Sequence, residues 1–200
     1  MNSRIEEKIL ISGKQLTEFK EYLYTKKSKN LFPKRIIESL YFDNIQKQMF
    51  LDSEEGCVPR KKIRLRRYCD IKNKIYSNTK FELKISSYEG RFKKSIDINS
   101  FTRENYIKKG YLDKNYGMCE PKLFVKYNRS YLRLEKVRIT IDENISYRKY
   151  GSNMFYNDDD IIVEIKSNIN LSRDYILNLL PFQRIRFSKY SRGFLKVMNT

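Results

Sequence analysis

The sequence predicts an α+β domain built on a largely antiparallel sheet, and three observations predict it. Short segments that alternate charged with aliphatic side chains recur along the chain, which is the period of a half-buried strand. Few of them are separated by helices in the βαβ manner that a doubly wound parallel sheet requires. The glycines and prolines are scattered at apparent turns, with no repeat, low-complexity tract or linker that would divide the chain.

Taken in order, Arg4 to Ile11 reads as a strand with Arg4, Glu6 and Lys8 on one face, punctuated by Gly13. Lys14 to Lys27 carries Leu16, Phe19, Tyr22 and Leu23 at helical spacing, giving a helix with one apolar stripe. Arg35 to Asp43 is extended, and Asp43 or Asn44 is placed to cap a short helix over Ile45 to Leu51. Lys62 to Tyr68, Lys80 to Ser86 and Arg91 to Ile98 read as a meander joined by turns such as Tyr88-Glu89-Gly90. Ser100 begins a helical stretch with Phe101 and Tyr106; the region through Cys119 has no clear period, and Pro121 ends it. Lys122 to Leu134, Val137 to Asp142, Ile145 to Tyr150 and Ile161 to Ser167 read as strands, interrupted by Glu135-Lys136 and by a solvated acidic loop at Asp158-Asp159-Asp160. Leu171 to Leu180 and Phe187 to Met198 read as helices. The expectation is about eight strands and four or five helices in a single domain over residues 1–200.

Charge narrows the partners. The chain has 42 Lys and Arg against 24 Asp and Glu, a net charge of +18, so polyanions lead the list. Its 40% hydrophobic content, with 16 Tyr and 12 Phe, is too rich for a disordered basic tail. The absence of histidine removes Ser-His and Cys-His nucleophile pairs and zinc motifs of the HExxH type. Neither GxxxxGK[ST] nor GxGxxG occurs, so any nucleotide would be held by side chains. Cys57, Cys69 and Cys119 match no zinc spacing and read as reduced, structurally minor thiols. No apolar run approaches the roughly 18 residues of a membrane helix, and the amino terminus lacks the apolar core of a secretion signal. A cytoplasmic protein with no transmembrane segment is expected.

The alternation carries the chemistry. Arg64 and Arg66, Glu82 and Lys84, Arg138, Thr140 and Asp142, and Glu164 and Lys166 each line one strand face, with aliphatic residues on the other. Two geometries fit: an antiparallel sheet with its charged face in solvent, or a closed barrel with aliphatic faces under helices and charges turned inward. Charges so enclosed would need water or an anion, because an unpaired buried ion is prohibitively unfavourable.

The chain resembles the VTC domain, the polyphosphate polymerase branch of the triphosphate tunnel metalloenzymes, in the CYTH-like superfamily. The resemblance rests on Arg4-x-Glu6-x-Lys8, Ser39-Leu40-Tyr41-Phe42-Asp43-Asn44, Lys62-Ile63-Arg64-Leu65-Arg66-Arg67-Tyr68 and Phe81-Glu82-Leu83-Lys84. It continues in Tyr127-Asn128-Arg129, Val137-Arg138-Ile139-Thr140-Ile141-Asp142, Val163-Glu164-Ile165-Lys166 and Ser188-Lys189-Tyr190. It implies an antiparallel eight-stranded closed β-barrel with helices packed outside, enclosing a triphosphate tunnel. It also implies transfer of the γ-phosphate of ATP to polyphosphate, with Mn²⁺ or Mg²⁺ assisting.

By position, the resemblance assigns catalytic roles to Arg64, Arg66, Lys84, Arg138 and Lys189, the last from the SKY motif. Arg4, Lys8, Lys93, Arg129 and Lys166 would bind substrate, with Lys93 favoured over Lys94 because it shares a face with Arg91 and Ser95. Glu164 and Glu6 would hold the metal, with Glu82 as a third carboxylate. ATP, inorganic polyphosphate, triphosphate or pyrophosphate are the implied ligands, with no specific nucleic acid, and membrane-associated partner subunits are implied by the wider architecture of the family. Two other classes stay open: a hydrolase of inorganic or organic triphosphates, and a non-catalytic binder of polyphosphate or RNA. Regular carboxylates oppose the binder, since they repel anions unless a metal intervenes.

Overall fold

The computed structural model describes the backbone over residues 4–168 and 171–198 and the side chains over 6–167 and 171–197. In chain order the elements are β1 (Arg4–Ile11), α1 (Gly13–Thr25), β2 (Lys29–Asp43), α2 (Gln48–Glu55), β3 (Arg60–Asp70), β4 (Thr79–Ser87), β5 (Gly90–Ile98) and α3 (Ser100–Lys109). They continue as β6 (Tyr111–Asp113), β7 (Gly117–Leu134), β8 (Val137–Lys149), β9 (Tyr156–Asp158), β10 (Ile161–Asn168), α4 (Arg173–Leu179) and α5 (Lys189–Met198). The chain divides into two compact units. One comprises Met1–Ile36, Tyr127–Ile145 and Asn157–Phe187; the other comprises Ile37–Lys126, Ser146–Tyr156 and Ser188–Thr200.

The hydrogen-bonded strand order is β1-β10-β8-β7-β2-β3-β4-β5, with β6 on β7 and β9 on β8. Its main path has the expected eight strands, and the two three-residue strands β6 and β9 are additional. The expected closed barrel is corrected to an open, mostly antiparallel sheet: among the described residues no ladder joins β5 to β1. The outer edge of β1 is taken instead by the segment at Arg184 and Ile185, where Ile185 N–H donates to the Lys8 carbonyl at 2.8 Å and Ile9 bridges Arg184.

In the first unit β1 runs antiparallel to β10, and β10 to β8, in a register that opposes Ile9 to Val163 and Val163 to Ile141. The aliphatic face so formed joins Phe19 and Leu23 of α1 and Ile176 and Leu179 of α4 in one buried core. The expectation of aliphatic faces beneath helices holds here. Ser12 starts α1 with a capping box, accepting from Gln15 N–H at 3.4 Å while the Gln15 side chain accepts from Ser12 N–H at 2.9 Å. Glu7, alone among aliphatic neighbours on its face, is held by Arg184 at 2.7 Å. Arg184 also donates to the Leu180 and Phe182 carbonyls beyond α4, so the partly buried carboxylate is compensated.

In the second unit β3, β4 and β5 form the expected antiparallel meander. Leu65 opposes Phe81, whose ring meets Tyr106 of α3 at 5.0 Å and Tyr111 at 4.8 Å. Helices α2 and α5 pack through Phe50 stacked on Phe194 at 5.0 Å. The cap of α2 combines both candidates: Asn44 Oδ1 accepts from Gln48 N–H at 2.9 Å, and the Asp43 carboxylate accepts from Met49 and Phe50 N–H at 3.0 Å each. The helix lies later than the sequence suggests, because Lys47 adopts a left-handed conformation before it.

Candidate functional site

In the second unit the charged face is built by register. Arg64 of β3 lies opposite Glu82 of β4, and Lys62 opposite Lys84, which in turn lies opposite Lys93 of β5. Lys94 lies opposite Leu83 on the other face. Glu82 is almost fully buried, at 1% exposure, and is ringed by cations: Arg64 at 2.6 Å, Lys93 at 2.5 Å and Arg66 at 3.9 Å. Burial would raise its carboxyl, but Arg64, Arg66 and Lys93 bring it down to about 2. Arg64 also donates to the Tyr41 hydroxyl at 2.9 Å, and Arg66 to Ser39 Oγ at 3.1 Å. Two guanidinium groups are thereby held in fixed orientation by one carboxylate and two hydroxyls.

The SKY segment meets the same unit's machinery. Ser188 Oγ accepts from Lys62 Nζ at 2.8 Å, Tyr190 donates to Asp43 at 2.6 Å, and Tyr190 lies 5.0 Å from the Tyr41 ring. Burial alone would raise the Tyr41 phenol; Arg64, Arg66 and Lys189 nonetheless hold it below its usual value. Lys62, Lys84 and Lys93 form a row of like charges across three strands. Directly opposed like charges destabilise a sheet, so an anion laid along the row would relieve it.

In the first unit the register sets Glu6 opposite Lys166, Lys166 opposite Arg138, Lys8 opposite Glu164, and Glu164 opposite Thr140. Glu164 hydrogen-bonds with the Glu6 side chain. Burial would raise the Glu164 carboxyl, yet that hydrogen bond and the charges of Lys166, Arg129 and Lys8 hold it well below the usual carboxylate range. Arg129 grips Asp142 through two bonds of 2.6 and 2.7 Å and lies 3.5 Å from Glu164. Lys8 donates to the Phe187 carbonyl at 2.5 Å. Arg138 Nε and Thr140 Oγ1 are buried with no hydrogen-bond partner among the described residues, which is unusual for polar atoms unless a ligand completes them.

The structure thus gathers Arg64, Arg66, Lys84, Lys93, Lys189 and Glu82 in one unit, and Glu6, Lys8, Arg129, Arg138, Glu164 and Lys166 in the other. The Arg4 side chain lies outside the described residues. Glu82 keeps company with three cations rather than with other carboxylates. The sequence reading gave no role to Ser39, Tyr41, Lys62 or Asp142; all four lie in the quoted motifs, but only the folded chain shows which side chain each one touches. Asp158 is also buried, at 6%, in β9 rather than in a solvated loop.

The Glu6–Glu164 pair offers hard oxygen donors suited to a divalent cation. Among the described residues no group of three or more His, Cys, Asp or Glu is placed to hold a metal. Two carboxylates nonetheless fit Mg²⁺, which is commonly held by one or two and completes its shell with water and substrate phosphate.

Folds similar to this antiparallel sheet with its face of alternating bases and carboxylates are found among solved structures. A conserved hypothetical protein from Pyrococcus furiosus has a TM-score of 0.56 at 16% identity, covering 94% of this chain and 99% of its own. A candidate adenylate cyclase from Vibrio parahaemolyticus has a TM-score of 0.57 at 13% identity over 100% of this chain and 99% of its own. A candidate adenylyl cyclase from Hippeastrum, described as having a dominant triphosphatase activity, has a TM-score of 0.56 at 14% identity over 98% and 97%. The VTC domain model matches residues 3–198, and the chain belongs to that family. Among curated proteins none matches the sequence. No described helix is long and apolar enough to cross a membrane.

Proposed function

We propose that the chain is a metal-assisted phosphotransferase that moves the γ-phosphate of ATP onto the end of an inorganic polyphosphate chain. The observation that carries this reading is the Glu6–Glu164 pair set among Lys8, Lys166 and Arg129. A surface meant only to bind polyanions gains nothing from buried carboxylates, whereas one that takes a metal with its triphosphate needs them. In this reading Glu6 and Glu164 hold Mg²⁺ or Mn²⁺, which supplies neutralising positive charge at the phosphate oxygens. Glu82 serves a different purpose from the third metal ligand, because its three cations leave it to orient Arg64 and Arg66.

The remaining work falls to the chain's own side chains. Arg64, Arg66 and Arg138 supply planar forks for phosphate oxygens, while Lys84, Lys93, Lys166, Lys189, Lys8, Arg129 and Arg4 supply further positive charge. The terminal oxygen of the acceptor bonds to the γ-phosphorus as the bridging bond to the β-phosphate breaks, and the electron pair leaves with ADP. A terminal phosphate is largely deprotonated near neutral pH, so this step needs no general base, in keeping with a chain that has no histidine. A cytoplasmic setting and membrane-associated partner subunits belong to the same reading.

A hydrolytic reading is favoured by one comparison, the triphosphatase activity described for the Hippeastrum protein; there water replaces the polyphosphate acceptor. Incubation with ATP and Mn²⁺, followed by gel separation, distinguishes them. Long phosphate chains are the expected product. Orthophosphate without polymer would replace the polymerase with a triphosphatase, and no turnover would leave a binding protein.

A further inference from the structure

A cavity of about 450 Å³ in the first unit is lined by Asn30, Phe32, Pro33 and Lys34 of β2 and by Ser130 and Tyr131 of β7. Its size lies in the range of small-molecule sites, roughly 300 to 1,000 Å³. The Phe32 ring stands edge-on to Tyr131 at 5.6 Å and 90°, yet is 48% exposed. The Arg35 guanidinium lies 5.8 Å from the Phe32 ring and 5.9 Å from that of Tyr131, against both rings. Lys34 is tied to Glu143 at 2.8 Å. The cavity therefore sets a half-exposed aromatic ring beside an asparagine and a serine.

Tyr131 links the cavity to the charged face. Arg138 lies 5.7 Å from the Tyr131 ring, and its Nε is buried without a hydrogen-bond partner among the described residues. We propose that the cavity is the nucleoside subsite, taking an adenine base against Phe32 while Arg138 takes the phosphate end of the same molecule. This deepens the function proposed above and rests on it. A purine fits because its π-face stacks on an aromatic ring and an asparagine amide can pair with adenine through its N6 and N7 edge. A lipid chain would leave Asn30, Lys34 and Ser130 facing hydrocarbon. The cavity also gives the site a means of separating a nucleotide donor from an inorganic one, which phosphate-binding cations alone cannot do.

The test is calorimetric titration of the full chain with ATP and with inorganic tripolyphosphate, each with Mg²⁺. Phe32→Ala should weaken ATP about tenfold and leave tripolyphosphate unchanged, while Phe32→Trp, which keeps a stacking ring, should retain ATP binding. Asn30→Ala should erase a preference for ATP over inosine triphosphate. Equal weakening of ATP and tripolyphosphate by Phe32→Ala, or no change in either, would overturn the subsite. Polymer synthesis by a Phe32→Ala chain that treats the two ligands alike would sink the subsite and spare the polymerase. The expected ATP-specific loss in a chain that makes no polymer would do the reverse.

Discussion

Glu82 shows how much a single carboxylate can organise. It holds Arg64 and Lys93 at 2.6 and 2.5 Å, and without it two guanidinium groups would share a buried neighbourhood with nothing between them. Its carboxyl, lowered from the usual 4.5 to about 2 in the folded chain, makes a pH prediction. A depressed acid stabilises the fold above its unfolded value, and that contribution is lost as pH falls through the folded one. The window is thus about 4.5 down to about 2, and the loss amounts to about 3 kcal/mol at most. Denaturant unfolding of wild type and Glu82→Gln across that window should show the wild type losing more stability as pH falls. Parallel curves would mean that the arginines do not hold the charge.

At the scale of elements, α5 depends on a residue that looks unsuited to a helix. Glycine within a helix ordinarily costs about 1 kcal/mol relative to alanine, so Gly193→Ala would be expected to stabilise. Here a methyl group at that position would come within 2.5 Å of the Tyr147 ring and 2.9 Å of Leu123 Cδ2. Both belong to long strands of the sheet, and Tyr147 and Leu123 are fully buried. Gly193→Ala should therefore destabilise, by about 1–3 kcal/mol, read as a lowered melting temperature; a raised one would show that α5 can shift away. The helix itself was legible in the sequence, and so was the meander of β3 to β5, where alternation and turn residues agree. Strand lengths were less so. Pro121 reads as a stop, yet it is buried within β7, because proline is tolerated where no ladder bond is asked of it. Val137 to Asp142 and Ile145 to Tyr150 read as two strands, whereas β8 is continuous through Asn144, which turns with φ of 54° and needs no loop. The choice between Lys93 and Lys94 follows from a two-residue turn, Tyr88-Glu89, which sets Ser87 opposite Gly90 and hence Lys93 opposite Lys84. The tie of Tyr190 to Asp43 joins residues 147 positions apart, and no local pattern could announce it.

For the molecule as a whole, the excess of +18 charges is itself a source of instability, since self-repulsion opposes a compact state. Much of it is arranged rather than dispersed, as in the Lys62–Lys84–Lys93 row and the cations around Glu164. A multivalent anion that binds there stabilises the folded chain through its affinity, part of which comes from removing repulsion that the unfolded chain does not feel as strongly. Tripolyphosphate at about 100 times its dissociation constant should add roughly 2.7 kcal/mol, which for a chain of this size is a rise of roughly 5 to 11 °C in melting temperature. Orthophosphate at equal ionic strength should do far less, because a single phosphate cannot span a row of cations. The rise should shrink as salt increases, for screening weakens both the repulsion and its relief. A melting temperature indifferent to tripolyphosphate would mean that these strands were not built to receive an anion.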